Sequence, residues 1–182
     1  MKRVYSSILI SISVVMIHKS HFILLFMLLA YFIPIAYVFF AYEGSNHSVS
    51  QIICSDSCQQ IILLSMAVMG WFTLWYEYER GDSISMRYIA LLLVGLYGLL
   101  WLDESYSIHY LFAACVFTSI LGFMYHHWNR GRLFAGLFLL QFVVSIIMLY
   151  YMNDDIFLPE VILIANFAVY YLCLHVTESD QK

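Results

Sequence analysis

Residues 87–125 read RYIALLLVGLYGLLWLDESYSIHYLFAACVFTSILGFMY. Two apolar runs, Arg87–Leu102 and His109–Tyr125, are joined only by DESYSI, which predicts a tight helical hairpin. Both runs are continuous. A membrane β-barrel would instead show alternating segments of about ten residues. A spanning helix needs about 20 mostly apolar residues, so each run is of membrane-crossing size, if short.

Working outward, four more runs of the same kind appear. They are His21–Tyr42, Gln60–Tyr76, Leu133–Met152 and Ile156–Leu174. Pro34 lies inside the first, where neighbouring helices can satisfy the carbonyl it frees. Aromatics crowd the run ends, among them Tyr42, Trp71, Trp75, Trp101, Tyr125, Trp128 and Tyr150, as an interfacial belt requires. The fold class expected is all-α: a polytopic membrane protein with a six-helix bundle. Residues 20–176 would form the transmembrane domain and 177–182 a cytosolic tail. Residues 1–19 would form a cytosolic segment carrying a short interfacial helix. Its apolar part is short and holds Ser6, Ser7, Ser11 and Ser13, and no small-residue cleavage site follows it. A seventh span over residues 4–17 is the main rival.

Composition agrees. Of 182 residues, 63% are hydrophobic, 18% aromatic and only 11% charged. Soluble domains average about 45–50% apolar and about 25% charged, so this chain cannot cover a water-facing surface. With 8 Lys+Arg against 12 Asp+Glu, no basic stripe is available for nucleic acid. No P-loop, G-x-S-x-G, H-E-x-x-H or G-x-G-x-x-G occurs, no K⁺-filter sequence does, and no cofactor is expected.

With six spans, Lys2, Arg3, Lys19, Arg80, Arg87, Arg130, Arg132 and Lys182 all fall on one side. The positive-inside rule makes that side cytosolic, together with both termini. A seventh span would split Lys2 and Arg3 from the rest. Glu43, Asp56, Asp103, Glu104, Asp154, Asp155 and Glu160 lie in or beside the outer loops. They read as solvated loop residues, or as a vestibule that attracts cations.

Few residues offer chemistry. Cys54 and Cys58, in CSDSC on the oxidising side, predict a small disulfide loop. Asn46-His47-Ser48 is a glycosylation sequon close to the end of the first run. Asp103, Glu104 and His109 bracket the outer hairpin, where His109 is either a base or ligand or an interfacial histidine that orders the turn. Glu160 follows Pro159 at a helix start, which suits a carboxylate, and it could partner His109. The catalytic candidates are therefore His109, Asp103, Glu160 and Asp56. Gln141 and Asn166 read as interhelical hydrogen-bond glue, and Cys115 and Cys173 as packing residues. Gly95, Gly98, Ala113, Ala114 and Gly122 allow close helix contact. On the inner side, His126, His127 and His175 read as interfacial anchors rather than metal or haem ligands. Glu77, Glu79, Arg80, Asp82 and Arg87 read as a solvated loop with local ion pairs.

This layout resembles the Frag1/DRAM/Sfk1 family of six-span membrane proteins. Ile53-Cys54-Ser55-Asp56-Ser57 stands where that family carries an I-S-D-x-G-like stretch, with Ser57 in place of the usual glycine and without the proline–glutamate pair that follows. Tyr76–Arg80 stands for its tyrosine- and arginine-containing inner loop, His109 to Ala113 for its H-x-x-x-A, and Glu160 for its glutamate near the sixth span. The resemblance implies cytosolic termini, an endomembrane or plasma-membrane location and a role in lipid remodelling, autophagy or lipid asymmetry. The expected function is to bind, organise or help remodel membrane lipid, with no complete catalytic set. Partners would be lipids, further copies of the chain or other membrane proteins. The alternatives are a cation channel or transporter with an acidic vestibule, and a membrane-embedded lipid hydrolase or acyltransferase centred on His109.

Overall fold

The computed structural model describes residues 34, 36–40, 48–54, 59–102, 106–150 and 156–179. These residues are helical almost throughout, with no strand among them. We number the helices α1 (Val49–Cys54), α2 (Gln59–Arg80), α3 (Ser83–Trp101), α4 (Ser107–His127), α5 (Arg132–Tyr150) and α6 (Phe157–Ser179). Residues 34 and 36–40, inside the first predicted run, are helical as well. The segments 1–19 and 41–47 lie outside the described residues, so neither the interfacial helix nor Asn46 is placed.

Four stretches are long and apolar enough to cross a membrane: Ser83–Trp101, Ser107–Arg130, Arg132–Tyr150 and Phe157–Val176. They coincide with the last four predicted runs. Most of their surface faces outward. In α5, Leu139, Leu140, Phe142, Val143, Ile146 and Ile147 are all exposed. A helix apolar on every side suits lipid rather than water, so the chain has the architecture of a helical membrane protein.

Inward-facing residues form two cores. The larger joins Met69 of α2, Ile89 and Leu93 of α3, Phe123 of α4, Phe134 of α5 and Tyr170 of α6. The smaller packs Ile52 of α1 against Ile62, Leu100 and Phe157. Helices α3 and α4 pack tightly across small residues read from the sequence. A Cβ on Gly95 would lie 3.0 Å from the backbone oxygen of Phe112 and 3.0 Å from the backbone nitrogen of Val116. Only glycine lets the two backbones approach so far.

Three boundaries depart from the sequence reading. The second apolar run ends at Tyr76, but α2 continues to Arg80, so Glu77, Glu79 and Arg80 are helical. Only Gly81 and Asp82 connect α2 to α3. Gly81 has φ 74°, in the left-handed region that favours glycine, and its N–H donates to the Tyr78 carbonyl at 3.0 Å. The sixth apolar run ends at Leu174, but α6 continues through Ser179, past the apolar stretch Phe157–Val176. The segment between the first two apolar runs contains α1, a six-residue helix where the sequence predicts only loop. Ser48 Oγ accepts the Gln51 N–H at 3.1 Å and caps it.

Candidate functional site

Polar side chains gather where α2 ends and α3 begins, against the ends of α4 and α6. The deepest is Glu77, which is fully buried. A carboxylate can be held there only if its charge is paired and its lone pairs are filled. Arg80, one turn on, donates from Nη1 to both Glu77 oxygens at 3.0 and 2.8 Å. Tyr171 on α6 donates its hydroxyl to Glu77 Oε1 at 2.6 Å. The spacings bring this about: Glu77 and Arg80 are i,i+3 on α2, and Tyr171 and His175 are i,i+4 on α6. His175 is also buried, its Nε2 3.6 Å from Glu77 Oε1. Neither of its ring nitrogens has a hydrogen-bond partner among the described residues. Its ring sits edge-on to Tyr171 at 4.1 Å and to Tyr76 at 4.5 Å.

Beside this group lies a second one, formed by Asp82, Ser85, His126 and His127. Asp82 is the N-cap of α3, its Oδ1 accepting the Ile84 and Ser85 N–H groups at 3.1 Å each. The Ser85 hydroxyl donates to Asp82 Oδ2 at 2.9 Å and lies 2.7 Å from His127 Nε2. His126 Nε2 is 3.4 Å and His127 Nε2 3.7 Å from the same Oδ2. Burial raises the Asp82 carboxyl, but the Ser85 hydrogen bonds and the two histidines outweigh it and bring it down to about 2. Serine and carboxylate here approach the same imidazole nitrogen. A nucleophilic triad needs them on opposite ring nitrogens, so Ser85 is not set up as a triad nucleophile.

The sequence reading of Glu77, Arg80 and Asp82 as a solvated loop is therefore corrected. Glu77 is enclosed, Arg80 is bound to it, and Asp82 is a helix cap. His127 and His175 are also more than interfacial anchors, since both are buried. The sequence reading passed over Ser85 and Tyr171 entirely. Asp82 could have been found, because an aspartate just before an apolar run is a cap signal. The contacts between helices left no local trace.

Of the four catalytic candidates, His109 and Glu160 fall among the described residues, and each makes a separate contact. His109 is buried, and its Nδ1 lies 2.8 Å from the Leu102 carbonyl across the hairpin, so it orders the turn. Glu160 Oε2 accepts the Val49 N–H at 2.6 Å and ties α6 to the start of α1. Asp103, Asp56, Cys58 and the side chain of Cys54 lie outside the described residues. Cys115 and Cys173 are half-buried and not joined in a disulfide. Between α5 and α6, Asn166 Nδ2 donates to Gln141 Oε1 at 2.7 Å and to the Leu137 carbonyl at 3.0 Å, as interhelical glue should.

No family model, curated protein or solved structure matches the chain.

Proposed function

We propose that the chain is a six-span integral membrane protein, with both termini cytosolic, that binds and organises membrane lipid through its cytosolic end. One observation carries this reading. The end that encloses Glu77 is ringed by exposed Trp75, Tyr78, Tyr125 and Trp128, with exposed Arg87, Arg130 and Arg132 at the same level. Indole and phenol rings are amphipathic and settle at the headgroup layer, while guanidinium groups pair with lipid phosphate. Anionic lipid of the cytosolic leaflet fits this collar best. The buried Glu77–Arg80–Tyr171 network holds α2 and α6 in place beneath it. The resemblance to lipid-handling six-span proteins points the same way, and so do the six apolar runs and the one-sided basic residues. The vestibule and His109-centred alternatives have weaker support, because His109 and Glu160 are each engaged in a local structural bond.

Native mass spectrometry of the detergent-purified chain with phosphatidylserine and phosphatidylcholine tests the proposal. Preferential retention of phosphatidylserine is expected, with the preference lost when Arg87, Arg130 and Arg132 are all changed to Gln. Equal retention of the two lipids, or a preference untouched by the triple change, overturns it.

A further inference from the structure

The second polar group has a geometry that lipid binding does not use. The nearest nitrogens of His126 and His127 and an oxygen of Asp82 all lie within 4.8 Å of one another. We propose that Asp82, His126 and His127 form a binding site for a divalent first-row transition metal, with zinc the ion that fits best.

The argument begins with distances. Tetrahedral zinc binds nitrogen and oxygen at about 2.0–2.1 Å, which sets neighbouring ligand atoms about 3.3 Å apart. Asp82 Oδ2 already stands 3.4 Å from His126 Nε2 and 3.7 Å from His127 Nε2. The two imidazole nitrogens lie within 4.8 Å of each other, so the exposed His126 ring must swing inward by up to about 1.5 Å to complete the set. Two imidazoles and one carboxylate are a ligand set that selects transition metals over calcium or magnesium, which prefer all-oxygen sites.

Asp82 is also preset for the task. Its Oδ1 is held by two backbone N–H groups of the α3 cap, which turns Oδ2 toward the histidines. Ser85 Oγ then fixes Oδ2 from the protein side, as outer-shell hydrogen bonds do at metal sites. When His127 Nε2 takes the metal, its ring proton moves to Nδ1 and Ser85 keeps its bond to Asp82.

Access and anchoring are both provided. His127 is 2% exposed and fixes one ligand firmly, while the side chains of Asp82, at 22%, and His126, at 31%, open to the surface. Three protein ligands leave a position for water. The ion would clamp the α2–α3 joint to the end of α4. This inference does not rest on the lipid reading and survives its failure.

The test is calorimetric titration of zinc chloride into the full chain in nanodiscs, purified without a polyhistidine tag. Cobalt(II) serves as the spectroscopic probe. One zinc per chain is expected, with tetrahedral cobalt bands that zinc abolishes. His126→Ala removes an exposed ligand without disturbing the core. Asp82→Asn keeps the cap acceptor but loses the charge. Each is expected to weaken zinc roughly tenfold or more. The zinc-dependent rise in Tm of the parent chain should vanish in both. Absence of saturable binding in the parent chain overturns the proposal, as does binding of equal strength in both variants.

Discussion

Replacing Arg80 by alanine takes away both ion-pair hydrogen bonds of Glu77 and leaves a fully buried carboxylate with only the Tyr171 hydroxyl. Breaking a buried pair from one side costs about 3–5 kcal/mol. Protonation sets a ceiling on the charge part of that cost. Neutralising a glutamate of ordinary pKa, about 4.3, at pH 7 takes about 2.7 pH units at about 1.36 kcal/mol each, or about 3.7 kcal/mol. Burial already raises the Glu77 carboxyl above its ordinary range with Arg80 in place, which lowers this ceiling, so the expected loss at pH 7 is about 2–3 kcal/mol. At pH 5 the same ceiling falls to about 1 kcal/mol, so the variant recovers most of its deficit on acidification. Glu77→Gln leaves an arginine that is 13% exposed and can reach water, and should cost only about 1–2 kcal/mol. The double variant Glu77→Gln/Arg80→Ala should lose less than the sum of the single changes by about 2 kcal/mol or more. Reversible unfolding in mixed micelles, followed by tryptophan fluorescence at both pH values, measures all of these. A loss below about 1 kcal/mol for Arg80→Ala at pH 7, or an equal loss at pH 5, would refute the reasoning.

Four alanine substitutions have outcomes set by their immediate surroundings and can be read in the same unfolding assay. Gly95→Ala should cost about 1–3 kcal/mol, because its new Cβ meets the backbone of α4, which cannot yield. Gly136→Ala, with nothing within 4 Å, should instead stabilise by about 0.5–1 kcal/mol; equal signs would contradict the proposed α3–α4 seam. His109→Ala should cost about 1–3 kcal/mol through the lost Leu102 contact, with part regained by His109→Asn, while lipid retention stays unchanged. Ser145 Oγ is buried without a hydrogen-bond partner among the described residues, so Ser145→Ala should be neutral or stabilising by up to about 1 kcal/mol; a clear loss would mean that a partner is present.

Different physical signals made different parts of the structure readable. The last four helices were legible because lipid-facing residues must be apolar along a whole span, and that leaves long unbroken runs. The α3–α4 seam was legible because close approach demands glycine or alanine at fixed places. The end of α2 was misread because hydropathy falls at Glu77 while the helix continues. A charged turn looks like a loop when the partner that buries it is not visible. Arg80 was in view three residues away, but Tyr171 was not. His127 and Ser85 likewise lie 42 residues apart, and only packing of α3 on α4 joins them. The short helix α1 escaped notice because six residues carry too little periodicity, and its support comes from Glu160, 111 residues further on than Val49.

The separation of 94 positions from Glu77 to Tyr171 also sets an order of events during synthesis. Ribosomes add about 5–20 residues per second, so Glu77 emerges about 5–20 s before the hydroxyl that completes its cage. Over that interval α2 carries a charge at its end with only Arg80, from its own chain segment, to compensate it. The two-residue joint to α3 lets those helices pair at once, whereas α6 arrives last and closes the bundle over the carboxylate. Enclosure of Glu77 therefore waits for α6, and a nascent chain stalled before α6 would present an open, acidic seam to whatever escorts it into the bilayer.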